Sequence, residues 1–216
     1  MDLLKQRTIL PLDEKEKVSK RLIRDALSCI KRPAIGFSGG KKSVMLLYLV
    51  KQECNLPLKV LFVRINGEFE NMVWFVEKLK RLWHFDLIVE SSTGNGPAVD
   101  PQFCCRPAIA AGLNRSVQAN AIDCLLLGNT FEDPRRIKLP EGMEMSCVNP
   151  ILHFSDKDIR DYIHKHKIPR CSLYDDGYEK IDCRRCTSPP ATRLSDPDAD
   201  ENEAVIKERL KRLGYL

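Results

Sequence analysis

The spacing of apolar residues changes repeatedly along the chain. Between Asp13 and Lys31, Val18, Leu22, Ala26 and Ile30 fall four apart with Ile23 and Leu27 beside them, the signature of an amphipathic helix. Pro33 stops that helix, and Ala34-Ile35-Gly36-Phe37 reads as a short buried strand. Ser38-Gly39-Gly40 then turns the chain, and the apolar run from Ser43 to Val50 predicts a buried helix. The alternation continues with strands over 58–64, 86–92 and 123–128 and helices over 69–83 and 106–119. Strands that are near-continuous apolar runs, separated by helices, imply a parallel sheet covered on both faces, a doubly wound α/β domain. Ser155 and Asp158 stand at N-cap and N3 of one more helix, which runs to about Lys165. Trp74 and Trp83 are expected to pack in the core or between helices.

The pattern changes after Ser188. Ser188-Pro189-Pro190 leads into an acidic stretch over 196–203 and then Val205-Ile206-Lys207-Glu208-Arg209-Leu210-Lys211-Arg212-Leu213, which predicts a linker and a terminal amphipathic helix. The expected division is therefore an α/β domain over 1–187 and an appended segment over 188–216. A length of 216 residues suits one such core. With 43% hydrophobic and 30% charged residues the composition excludes a disordered or collagen-like chain. The best apolar run, 44–50, is far short of the roughly 20 residues that cross a bilayer, so no membrane partner is expected. The first residues show no apolar segment of a secretory leader, and a cytoplasmic location is expected. The net charge of +5 suits an anionic small molecule as well as a nucleic acid.

Candidate chemistry begins at Ser38-Gly39-Gly40-Lys41-Lys42-Ser43, between a strand and a helix. Two glycines allow a tight turn whose N–H groups can converge on an anion. The helix N-terminus adds partial positive charge, and Ser38 and Ser43 can donate hydroxyls. This is the composition of a phosphate or sulfate cradle.

Nine cysteines are many for a cytosolic chain, and in a reducing compartment they favour metal ligation or thiol chemistry over disulfides. Cys104-Cys105 and Cys183-Arg184-Arg185-Cys186 are far apart in sequence, so the fold must bring the two pairs together. Four thiolates suit a [4Fe–4S] cluster or Zn²⁺, with free or redox-active thiols as the remaining reading. Cys29, Cys54, Cys124 and Cys147 are expected to be small buried hydrophobes. Cys171, in a loop, is the one candidate for a reactive thiol.

Phe37-Ser38-Gly39-Gly40-Lys41-Lys42-Ser43-Val44 resembles the PP-loop, Ser-Gly-Gly-x-Asp-Ser, of the adenine-nucleotide α-hydrolase-like superfamily, in its phosphoadenosine phosphosulfate (PAPS) reductase branch. Lys42 stands where that pattern has Asp. In ATP-cleaving relatives the acid is associated with Mg²⁺-pyrophosphate, and an ammonium in its place is expected to neutralise a phosphate or sulfonate without a metal. The segment Leu61 to Phe69 resembles the family's second strand, with Arg64 and Ile65 departing from its Asp-Thr-Gly. The segment from Gly128 to Arg136 resembles a Gly-x-Arg-x-x-Glu-x-x-Arg-Arg region, where Arg135 and Arg136 match and Thr130 replaces the first arginine. Asn149 to Leu152 and Leu173 to Tyr178 are similar to later blocks of the family.

The resemblance implies nucleotide binding by Ser38, Gly39, Gly40, Lys41, Lys42, Ser43, Gly128, Arg135 and Arg136. The ligand would be adenylyl sulfate, its 3′-phosphorylated form or ATP. The cysteine arrangement resembles the cluster signature of adenylyl-sulfate reductases, with Cys104, Cys105, Cys183 and Cys186 as ligands. Sulfonucleotide reductases carry a nucleophilic cysteine near the C-terminus, and no cysteine follows Cys186. The expected function is reduction of an adenylyl sulfate to sulfite with a small external thiol or a thioredoxin-like protein. Two alternatives stay open: a sulfur-transfer component that modifies DNA or tRNA with a cysteine desulfurase, and a non-catalytic nucleotide or cluster sensor.

Overall fold

Five parallel strands form the centre of the computed structural model, which describes residues 3–54, 58–65, 67–92, 106–133, 145–184, 187, 188 and 190. They are β1 (Pro33–Phe37), β2 (Lys59–Ile65), β3 (Asp86–Ser92), β4 (Cys124–Leu127) and β5 (Ser146–Val148), in the order β3-β2-β1-β4-β5. Every adjacent pair is parallel. The helices are α1 (Leu3–Thr8), α2 (Leu12–Cys29), α3 (Lys41–Glu53), α4 (Glu70–Trp83), α5 (Arg106–Ala119) and α6 (Asp156–Lys165). This is the doubly wound α/β sheet that the alternating pattern predicts.

The two sheet faces carry separate cores. Ile35, Phe37, Val60, Phe62 and Leu126 point to one face and pack against α2, α3, α4 and α6. Ala34, Leu61, Val63, Leu125 and Leu127 point to the other and pack with Leu113 and Val117 of α5. Alternate residues of β1, β2 and β4 thus serve opposite faces, which is why these strands read as unbroken apolar runs. Each apolar layer removes its strands from water, at roughly 25 cal/mol per Å² of apolar surface.

Some details differ from the sequence pattern. The short β5, with Ser146 and Cys147 exposed, carries no apolar alternation that would announce a strand. Trp74 is 56% exposed, because Met72, Phe75, Val76 and Leu79 occupy the inner stripe of α4. Trp83 packs against the core as expected. Of the four cysteines expected to be buried, Cys124 is buried, whereas Cys29 and Cys147 are exposed and Cys54 is intermediate. The expected linker and terminal helix over 191–216 lie outside the described residues. Among the described residues no helix is long and apolar enough to cross a membrane.

A buried ion pair holds α2 to the start of α6. The Lys15 ammonium, on a residue only 3% exposed, lies 2.6 Å from Asp158 Oδ2. That carboxylate also accepts from the backbone N–H and hydroxyl of Ser155, whose hydroxyl oxygen caps the Asp158 N–H. Burial alone would raise the Asp158 pKa, but Lys15 and Ser155 more than offset it and hold the carboxyl below its ordinary value of 3.8. The contribution is present above about pH 3.8 and is lost as pH falls through the folded-state value. Lys15→Ala leaves the carboxylate without its counter-charge and should cost on the order of 3 kcal/mol in urea unfolding at pH 7. The deficit relative to wild type should shrink in acid.

Candidate nucleotide-binding site

β1 is the point where the sheet order reverses, with β2 on one side and β4 on the other. In open α/β sheets the crevice for a ligand lies beyond the carboxyl ends of the strands at such a point. The glycine turn stands there, leaving β1 after Phe37 and entering α3 at Lys41 with Gly40 as N-cap. Gly39 has φ +73°, a left-handed conformation that a side chain resists, and a Cβ there would collide with the Met72 sulfur. Hydroxyls brace the turn from within. Ser43 Oγ donates to the Gly40 carbonyl and accepts from the Ser38 N–H, and Ser38 Oγ accepts from the Gly40 N–H. The two serine oxygens lie 3.2 Å apart. The glycine turn thus leads, internally braced, into a helix N-terminus, whose partial positive charge suits an anion.

Gly128, immediately after β4, lies against the same turn. A Cβ at this position would stand 3.0 Å from the Lys42 carbonyl carbon and 3.1 Å from Ser43 N. A side chain at Gly128 would press on the backbone at the start of α3. Tyr174, in the short 3-10 helix Ser172–Tyr174, closes another side: its hydroxyl accepts from the Lys41 N–H, and its ring lies 4.7 Å from the Lys41 ammonium. Burial pushes the Tyr174 phenol up to about 12, so the hydroxyl that accepts from Lys41 stays protonated at physiological pH.

Lys42 takes a direction that the sequence does not reveal. Its ammonium lies 2.9 Å from Thr130 Oγ1 and 2.8 Å from both Asp133 Oδ1 and Asp156 Oδ1. The charge expected to meet an anionic ligand directly is thus held between two carboxylates. Burial would lower the Lys42 pKa, but the two acids more than offset this and raise it; burial and Lys42 act oppositely on Asp133, whose pKa is lowered overall. Thr130 is fully buried, and Asp133 Oδ2 accepts from the Thr130 N–H at 2.7 Å and from its hydroxyl at 3.1 Å.

At the end of β2, the Gly67 carbonyl accepts from the Arg184 N–H at 3.0 Å, joining this edge to the segment that begins with Cys183. The Arg184 guanidinium lies 5.8 Å from the Phe69 ring centre. Cys183 is buried in the same core as Leu113 and Val117 of α5, the helix that directly follows Cys104-Cys105 in sequence. Cys104, Cys105, Cys186, Arg135 and Arg136 lie outside the described residues, and no metal-ligating group of three or more is found among the described ones. Cys171 is fully buried, and burial, aided by nearby acids, pushes its thiol up. That environment favours a packed thiol over the exposed thiolate that nucleophilic chemistry needs.

Glu68 stands beside this edge. Burial, reinforced by Asp182, raises its carboxyl to about 7, while the Phe69 and Ile65 backbone and Arg64 pull against the rise. Its folded-state pKa lies above the ordinary 4.5, so its stabilising effect is complete below about pH 4.5 and is lost as pH rises through about 7. Glu68→Gln should raise the unfolding midpoint at pH 8 and leave it nearly unchanged at pH 4.

Residues 32–189 match the phosphoadenosine phosphosulfate reductase domain. The chain belongs to that family. The match runs from the start of β1 to beyond the Cys183–Cys186 pair, so it contains the whole parallel sheet and both cysteine pairs. An adenosine 5′-phosphosulfate reductase of Bacillus mycoides is 25% identical over 168 residues, covering 70% of this chain and 71% of that protein. The fold is also that of a Candida auris phosphoadenylyl-sulfate reductase crystallised with phosphate, at TM-score 0.66 and 14% identity over 82% of this chain and 96% of the other. A Candida glabrata FMN adenylyltransferase bound to FMN and an ATP analogue superposes at TM-score 0.65 with 16% identity, covering 88% of this chain and 73% of that one.

Within this PAPS reductase-family chain, the structure brings Ser38, Gly39, Gly40, Lys41, Lys42, Ser43 and Gly128 to one end of the sheet. It adds Thr130, Asp133, Asp156 and Tyr174, which the sequence reading did not assign to the site. Tyr174 and Thr130 fall inside segments that resemble family blocks, which was a usable signal. Asp156 looks in sequence like a first-turn helix acid and gives no such sign.

Proposed function

We propose that the chain binds an adenylyl sulfate at the glycine turn and promotes its reduction to sulfite by a thiol supplied from outside the chain. The observation that carries this reading is the preformed turn at the switch point, braced by Ser38 and Ser43 and walled by Gly128 and Tyr174. Family membership supports sulfonucleotide chemistry for the same pocket.

The N–H groups in the first turn of α3 beyond Lys41 would meet the phosphosulfate, the serine hydroxyls would keep the turn in shape for it, and Arg135 and Arg136 would complete the anion site. A thiolate then attacks the sulfur. A sulfur–sulfur bond forms, the bond between sulfur and the bridging oxygen breaks, and the nucleotide leaves as the phosphate. A second thiolate attacks the sulfur of the carrier thiol, releasing sulfite and leaving a disulfide, so the two thiols supply the two electrons. Burial disfavours Cys171 as the attacking group, and the four paired cysteines would be committed to metal.

Cys104, Cys105, Cys183 and Cys186 would hold a [4Fe–4S] cluster, with Zn²⁺ as the other metal that suits four thiolates. The donor set is soft, and Cys183 lies in the core formed with α5, which supports convergence of the two pairs. When bound, the cluster would supply a charge centre that polarises the sulfate group.

Anaerobically prepared protein incubated with sulfur-labelled adenylyl sulfate tests the reading. Sulfite should form when dithiothreitol or a thioredoxin is added and not before, with no thiosulfonate on the chain by mass spectrometry. A thiosulfonate on one of its cysteines in the absence of added thiol, or no sulfite under either condition, would overturn it.

A further inference from the structure

The Lys42 ammonium has the surroundings of a small cation. Three oxygen donors, Thr130 Oγ1, Asp133 Oδ1 and Asp156 Oδ1, lie 2.8–2.9 Å from it. Two carboxylates and a hydroxyl form the oxygen set that a hard divalent ion takes. The donors come from three places: the segment after β4 gives Thr130 and Asp133, the first turn of α6 gives Asp156, and α3 gives the lysine. Further bonds tie these parts together. The Asp156 N–H donates to Glu132 Oε2 at 2.6 Å, the Phe131 N–H to the Leu152 carbonyl, and the Asp133 N–H to the Thr130 carbonyl. The segment joined in this way leads directly into Arg135 and Arg136.

Two carboxylates face one ammonium, Asp133 part-buried and Asp156 57% exposed, so their formal charge exceeds its own. The ammonium already faces the two acids that a divalent ion would need at this place. We propose that Lys42 is a built-in cation. It takes the place of a divalent metal at the mouth of the glycine turn, gathers Asp133 and Asp156, and so holds the segment from Gly128 to Asp133 against the start of α3 without any dissociable ion. Nucleotide binding is then independent of divalent metal, and Lys42 is a positioning residue, not a ligand of the phosphosulfate. This inference rests on the reading of the turn as a nucleotide site, but its structural part is testable without nucleotide.

Lys42→Glu is the informative variant. Glutamate is shorter than lysine by about one metal–oxygen bond, so a metal held by its carboxylate would lie near the present ammonium. Mn²⁺ titration followed by electron paramagnetic resonance should show no tight site at this place in the wild type and about one bound ion in Lys42→Glu. Asp156→Asn added to Lys42→Glu should abolish that ion. Calorimetric titration of adenylyl sulfate should give equal wild-type affinity in EDTA and in Mg²⁺. In Lys42→Glu the affinity should fall at least tenfold in EDTA and recover with Mg²⁺.

A wild type that needs a divalent ion, or a folded Lys42→Glu that binds no Mn²⁺, would overturn the proposal. If Lys42→Glu does not fold, Lys42→Ala takes its place. With the ammonium gone, Asp133 and Asp156 should acquire Mn²⁺-dependent protection against urea, and a variant indifferent to the ion would refute the built-in cation. Failure of the wild type to bind adenylyl sulfate would count against the nucleotide reading alone, because the Mn²⁺ measurements decide the role of Lys42 independently.

Discussion

Replacing Gly39 by valine should eliminate nucleotide binding and lower the stability of the folded chain by several kcal/mol. Two costs add at this position. A β-branched residue at φ +73° is a backbone outlier, with a penalty of about 1–2 kcal/mol even for an ordinary side chain. The new atoms would also meet the Met72 sulfur and stand 3.2 Å from Val76 Cγ2, and overpacking of a filled core costs about 1–3 kcal/mol more. The chain can relieve both only by moving the turn, which misaligns the N–H groups that make the cradle. Gly67→Ala is the control: φ is +85°, but nothing lies within 4 Å of the added carbon, so only the conformational cost of about 1 kcal/mol applies. Urea unfolding of both variants checks the difference, and similar losses in the two would contradict the steric part.

The second large effect is expected at the cysteine pairs. Anaerobically isolated wild type should be brown, with near-stoichiometric iron and acid-labile sulfide, and Cys183→Ala combined with Cys186→Ala should contain neither. Two of the four thiolates are then missing, and the remaining pair cannot complete the ligation of a cubane. Cys183 is 2% exposed, so its truncation also opens a small cavity in the α5 core. Cys186→Ala alone separates the two effects, because it removes one ligand while leaving Cys183 in place. Zinc without sulfide in the wild type would replace the cluster by a tetrahedral zinc site, and retention of iron and sulfide in the double variant would exclude these cysteines as ligands.

Much of the fold could be read because its strands are buried on both faces and therefore unbroken in apolar character. Helices α2 to α6 and strands β1 to β4 follow that pattern to within a few residues. β5 escapes it because a three-residue edge strand, half exposed, gains its place from pairing with β4 and not from its own composition. The glycine turn was legible for a local reason: two glycines, two serines and a following helix lie within a few residues. The partners of Lys42 were not, because Thr130, Asp133 and Asp156 reach it only through the assembled sheet. A lysine beside a phosphate-like turn looks in sequence like an anion ligand, and only the assembled fold shows the two carboxylates that its ammonium faces. Cys171 is a similar case, since a loop position suggests access while the residue, at the N-cap of the 3-10 helix that carries Tyr174, is buried.

Isothermal titration of adenylyl sulfate into the anaerobically prepared protein is the most direct test of the nucleotide site. One saturable equivalent should bind to the wild type and none to Gly39→Val under conditions where circular dichroism shows that variant folded. Equal binding by the two proteins, or no binding by the wild type, would show that the glycine turn is not where a sulfonucleotide is held.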